Sequence, residues 1–127
     1  MRDLANNQAG VPAIAPAVQS ASINGAVVDL LDCNGVTFFV NTGAIVGAGD
    51  FTAKVQESDE SGSGFTDVAA GDLVGAFSAS LSADGVEKVG YIGNKRYARV
   101  VLTKNGGTSI AAGAVAVKGH LAVRPAA

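Results

Sequence analysis

The residues able to do chemistry are few and scattered. His120 is the only histidine, so one chain holds neither a His-based catalytic triad nor a two-histidine metal site. Cys33 is the single cysteine. It excludes an internal disulfide, and in the turn-forming run Asp32-Cys33-Asn34-Gly35 it has no neighbouring base, so it reads as a buried or half-buried free thiol. Glu57, Asp59, Glu60 and Asp67 cluster around a Ser/Gly-rich stretch. Hard cations take several oxygen ligands, but this spacing matches no calcium loop, and an acidic loop is usually just solvated; no metal is expected. The run Gly43-Ala44-Ile45-Val46-Gly47-Ala48-Gly49 has neither the dinucleotide-binding spacing nor the G-K-[ST] ending of a phosphate loop, and no cofactor is expected. Lys95, Arg96 and Arg99, with Tyr91 and Tyr97 interleaved, form a small basic patch. Such a patch can hold nucleic acid, but the formal net charge of -2 argues against binding driven by phosphate neutralisation. These long side chains are expected to cover an apolar sheet face or to make ionic contacts with a partner. No enzymatic role is expected.

The elements that position these residues read as strands. Side chains alternate faces along a strand. In Phe51 to Glu57, Phe51, Ala53 and Val55 point one way and Thr52, Lys54 and Gln56 the other, which predicts a core face and a solvated face. Ala98, Val100 and Leu102 share a face in the same manner. Lys88 to Ile92, Arg96 to Lys104 and Ile110 to Lys118 are predicted strands, the last two joined as a hairpin by Asn105-Gly106-Gly107. Ala26 to Leu31 is predicted to pair with Val36 to Asn41 across the turn at residues 32–35, and Thr42 to Asp50 to be a loop or broken strand. The abundance of glycine, the thin aromatic content and turn signals at this spacing predict an all-β chain: a small antiparallel β-sandwich or barrel of seven or eight strands with an extended N-terminal arm. The expected core includes Phe38, Val40, Phe51, Val55, Val100, Leu102 and Val115. Both Phe38 and Phe39 are apolar, so their strand is expected to be covered on both faces or to turn one ring to a partner.

Two units are expected: an arm over residues 1–22 and a β-sandwich domain over 23–127. Pro12 and Pro16 disfavour helix, while Val11, Ile14 and Val18 make the segment sticky. Such a segment is either an arm docked on a neighbouring subunit or another surface, or a disordered tail. As an arm, it should be removable with the β-core left folded. No apolar run is long enough to span a bilayer, and none near the N-terminus has signal-peptide character. The expectation is a soluble, unexported chain.

Several stretches carry a resemblance. Phe51-Thr52-Ala53-Lys54-Val55-Gln56-Glu57-Ser58-Asp59, Gly64-Phe65-Thr66-Asp67-Val68, Val89-Gly90-Tyr91-Ile92-Gly93-Asn94-Lys95-Arg96-Tyr97 and Leu102-Thr103-Lys104 resemble small proteins encoded in the head-gene region of tailed double-stranded DNA phages and prophages. The resemblance spans most of residues 1–125. It implies a virion component near the capsid: a decoration (cement) protein on the capsid surface, or a vertex, neck or tail module. It implies the major capsid protein as partner, manufacture in the bacterial host cytoplasm, and no catalytic residues. A capsid lattice offers three-fold positions, so a homotrimer is expected. The residues expected to bind partners are Val11, Ile14, Val18, Lys95, Arg96 and Arg99.

Overall fold

A computed structural model describes residues 3–121. The strands are β1 (Ala9–Gln19), β2 (Ile23–Asn24), β3 (Val28–Asp29), β4 (Cys33–Val46), β5 (Asp50–Ser58), β6 (Thr66–Asp67), β7 (Leu73–Val74), β8 (Val86–Tyr91), β9 (Tyr97–Gly106) and β10 (Ser109–Leu121). Among the described residues there is no α-helix, only short 3-10 turns at Ala5–Asn7 and Ala70–Asp72. Sheet I has the order β1-β10-β4-β8-β7. Sheet II has the order β2-β9-β5-β6, with β3 also paired to β9. The two antiparallel sheets close over a shared core, which makes the chain a small β-sandwich.

The sandwich is built from one long ribbon folded over. β4 pairs with β10 from Cys33↔Leu121 to Val46↔Ser109, and β5 pairs with β9 from Asp50↔Gly106 to Ser58↔Tyr97. The fold lines are Gly47-Ala48-Gly49 on one side and Gly107-Thr108 on the other. Gly47 and Gly107 have φ of +60° and +73°, and Ala48 sits at 56°. A Cβ on Gly107 would strike the Ala48 carbonyl, and one on Gly47 would strike the Thr108 side chain. Glycine is needed here because two left-handed corners press against each other.

This corrects the expected hairpin. β9 and β10 lie in different sheets and do not pair, and β8 pairs with β4, not with β9. A two-residue type I′ reversal needs φ > 0 at both central positions. Within Asn105-Gly106-Gly107 only Gly107 meets that condition. Gly106 still pairs with Asp50, and the Asn105 amide donates to Thr52 Oγ1 at 2.7 Å, so the chain turns a corner between sheets. The expected pairing of residues 26–31 with 36–41 is also replaced. β3 pairs with Ala98 and Tyr97 of β9, while β4 continues through the expected turn at Cys33 and through Gly43 to Val46.

The predicted faces of β5 and β9 are as expected: Phe51, Ala53, Val55, Ala98, Val100 and Leu102 are all buried. Phe38 and Val40 are buried with them. Val115 is not: it is 46% exposed. Ala114 and Ala116 take the core face of β10 because they lie opposite Val40 and Phe38. Two large β4 side chains already fill that layer, so alanines fit beneath and the valines point outward.

Residues 9–19 are extended, but they are not an arm lying on a neighbour. They form the edge strand β1, paired with β10 from Ala9↔Lys118 to Gln19↔Ile110. The prolines are tolerated because β1 is an edge strand with irregularities between Pro12 and Ile14 and between Ile14 and Ala17. Ala13 and Ile14 enter the core. Removing the segment would bare β10 and open the core, so the expectation of a dispensable arm is withdrawn.

Two outcomes follow from this packing. Leu102→Ala should destabilise the chain by about 2–5 kcal/mol, whereas Val115→Ala should cost less than about 0.5 kcal/mol in urea melts of dilute protein. Comparable losses at both sites would contradict the assignment of faces. Deletion of residues 1–22 should abolish cooperative thermal unfolding by circular dichroism; a truncated chain that melts like the intact one would show β1 to be accessory.

Candidate interaction surface

The groups singled out for chemistry are dispersed by the fold. His120 is exposed near the end of β10, with φ of 48°. The Cys33 thiol is half-buried and donates weakly to the Leu30 carbonyl; burial pushes its pKa up, which lowers its nucleophilicity at neutral pH. The four carboxylates take separate partners. Glu57 accepts from Tyr91 Oη at 2.7 Å, Asp59 pairs with Lys95 at 2.9 Å, Glu60 accepts from Ser63, and Asp67 pairs with Lys54 at 3.2 Å. No group of three or more metal-ligating side chains converges among the described residues.

The basic residues are likewise engaged within the chain. Arg96 makes two bonds to Asp29, at 3.0 and 2.9 Å, tying the entry of β9 to β3. Its guanidinium holds the Asp29 carboxyl below the usual carboxylate range. Arg99 donates twice to Gln56 Oε1 and lies 4.2 Å from the centre of the Phe65 ring. Gln56 in turn donates to Asp67 Oδ1. The solvent face of sheet II is thus laced by a polar chain running from Arg99 through Gln56 and Asp67 to Lys54. These contacts hold β9, β5 and β6 in register.

A second knot joins the sheets. Tyr91 of sheet I is buried, donates to Glu57 of sheet II, and accepts from the Lys95 backbone N–H at 3.1 Å. Gly93 is required beside it, because a Cβ there would lie 2.5 Å from the phenol oxygen. Burial, followed by the bond to Glu57, pushes the Tyr91 pKa well above the ordinary tyrosine range.

The outer face of sheet I has a different character. Cross-strand rows run Pro12–Val115–Phe39–Lys88 and Gly10–Val117–Thr37–Gly90–Val74, with Val86 beside Asn41. Lys88 is the one charged side chain in these rows. Val18, Val86 and Val74 are 68%, 65% and 60% exposed. Pro12, Pro16, Val18, Phe39 and Val115 border an open apolar groove of about 820 Å³ whose floor includes Gly113. Pro16 lies directly over that glycine, where a Cβ would come within 3.0 Å of it.

Of the expected partner-binding residues, Val18 lies on this surface. Val11 is half-buried against the core, and Ile14 is 3% exposed and unavailable to a partner. Lys95, Arg96 and Arg99 lie elsewhere, each neutralised or bonded internally. Val115, expected in the core, was missed as a surface residue; of the pair Phe38-Phe39, Phe39 is the ring that turns away from the core. The signal of this face was present in the chain: residues 9–19, 33–46 and 109–117 contain no Asp, Glu, Lys or Arg, and these segments are β1, β4 and the greater part of β10, which are adjacent strands.

No family model matches the chain, and no curated protein matches it. Among solved structures, a chain in the structure of infectious bursal disease virus, Gx strain, is similar at a TM-score of 0.44 and 16% identity. The match covers 89% of this chain and 32% of that one, so this chain spans about a third of the neighbour's length.

Alkaline stability tests the Tyr91 knot. The folded chain keeps a proton that the unfolded chain releases from about pH 10, so stability should fall as pH rises above about 10. Tyr91→Phe should flatten that dependence while costing about 1–3 kcal/mol at neutral pH for the lost bond to a carboxylate. Urea midpoints from pH 7 to 11 read both; parallel profiles for the two proteins would contradict the assignment.

Proposed function

We propose that the chain is a structural protein of a tailed-phage virion that binds the outside of the capsid and stabilises the head. The observation that carries this reading is the division of its surface. Sheet II spends its charges on internal pairs, while sheet I presents a broad apolar face. Antiparallel sheets in soluble domains usually turn a polar side to water, and a large exposed apolar patch marks a protein-binding site. The resemblance of residues 51–59, 64–68 and 89–97 to phage head-region proteins supplies the setting, with the major capsid protein as partner and a homotrimer as the form that matches three-fold lattice positions. Catalysis is not part of the proposal, because each candidate acid or base serves a structural bond or stands alone. The alternative is a vertex, neck or tail module of the same particle, for which the same surface would serve.

Co-sedimentation with undecorated phage heads should recover the intact protein in the pellet, at hundreds of copies per head by quantitative mass spectrometry. About a dozen copies or fewer would favour the vertex, neck or tail reading. No binding to heads, with the protein folded, would overturn the capsid assignment.

A further inference from the structure

We infer that the outer face of sheet I is where copies of this chain associate with one another. The inference rests on the reading of this face as a protein-docking surface and is independent of any capsid contact. The edges of the sheets are poor routes to assembly. On β1, Pro12 and Pro16 offer no N–H, and the Ala13 carbonyl is taken by the Ala26 N–H at 2.7 Å. The opposite edge, β7, is two residues long, as is β6 of sheet II, which carries Asp67. Short, proline-bearing or charged edges resist strand addition, which leaves the face.

The occupant follows from charge and area. Three neighbouring strands carry no charged residue over residues 9–19, 33–46 and 109–117. A charged partner surface set against them would lose its hydration and gain no counter-charge. A second copy brings the same uncharged surface, and an apolar patch is complementary to itself as a charged patch is not. Lys88 stands on β8, beyond these charge-free stretches, where its stem can lie along the patch and its ammonium reach water. The glycine-floored groove between Pro16, Val18 and Phe39 offers a recess for a side chain such as Val115 or Val86 of the neighbouring copy. Four strands at a spacing of about 4.8 Å, over about 30 Å of strand, give a face of roughly 600 Å². Two such faces bury about 1,200 Å², the lower bound for a specific stable interface.

The test is mass in solution, without capsids, by light scattering and sedimentation over a concentration series. The intact protein should be an oligomer at micromolar concentration. Val115→Glu and, separately, Val18→Lys should shift it to the single-chain mass, weakening association by about ten-fold or more, with the circular dichroism spectrum unchanged. Val18 is largely exposed, so its substitution keeps the test valid if Val115→Glu disturbs folding. An intact protein that stays single-chain across the series overturns the inference even if it binds heads. So does an oligomer that persists in both folded variants. Loss of head binding by variants whose parent is single-chain would assign the face to the capsid instead.

Discussion

The fold depends on two corners that cross the sandwich together. At Gly47-Ala48-Gly49 and Gly107-Thr108 the ribbon of β4–β5 and β9–β10 leaves one sheet and enters the other. The corners touch: Gly107 backs onto the Ala48 carbonyl, and Gly47 onto Thr108. Left-handed backbone with no room for a Cβ is the condition for this approach. Once it is met, Phe38 and Val40 of β4 face Phe51, Val55, Val100 and Leu102 of sheet II across a shared core. The remaining strands attach to the edges of this folded ribbon. The pairings of β4 with β10, β5 with β9 and β1 with β10 each span a long stretch of chain, a topology that is slow to form but cooperative once closed.

The ribbon also assigns the polar groups. Tyr91 reaches across to Glu57, and Lys118 is drawn into a site where its ammonium meets Asp32 at 2.8 Å with the side chain only 11% exposed. Arg96 fastens β3, and Arg99 with Gln56 and Asp67 fastens β6. Among the described residues no buried side-chain nitrogen or oxygen lacks a partner. Polar groups matched one to one in this way favour a single rigid arrangement.

The two outer faces then differ in kind. Sheet II is polar and internally bonded. Sheet I is apolar where water would ordinarily dictate otherwise. The inward turn of Ala112, Ala114 and Ala116 sends Val115 and Val117 outward. Thin packing on the inside of β10 is therefore coupled to stickiness on its outside.

The alternation in Phe51 to Gln56 and in Ala98 to Leu102 was legible from the chain alone, because a strand with one wet face must alternate. The all-β class, the scarcity of chemical groups and the stickiness of residues 11–18 were legible for similarly local reasons. Which strand pairs with which was not. Asn105-Gly106-Gly107 has the composition of a reversal, yet it is a corner, since Gly106 and Asn105 are claimed by Asp50 and Thr52 across the ribbon. Residues 9–19 read as an arm because prolines argue against regular structure, and β10 overrides them by offering an edge on which two prolines do no harm. Val115 read as core because valine outranks alanine in hydrophobicity, and the bulk of Phe38 and Val40 opposite reverses that order. Local pattern is a property of neighbouring residues and is written in the chain. Register and the inner face of a small-residue strand are set by what lies opposite, and only the folded structure supplies that.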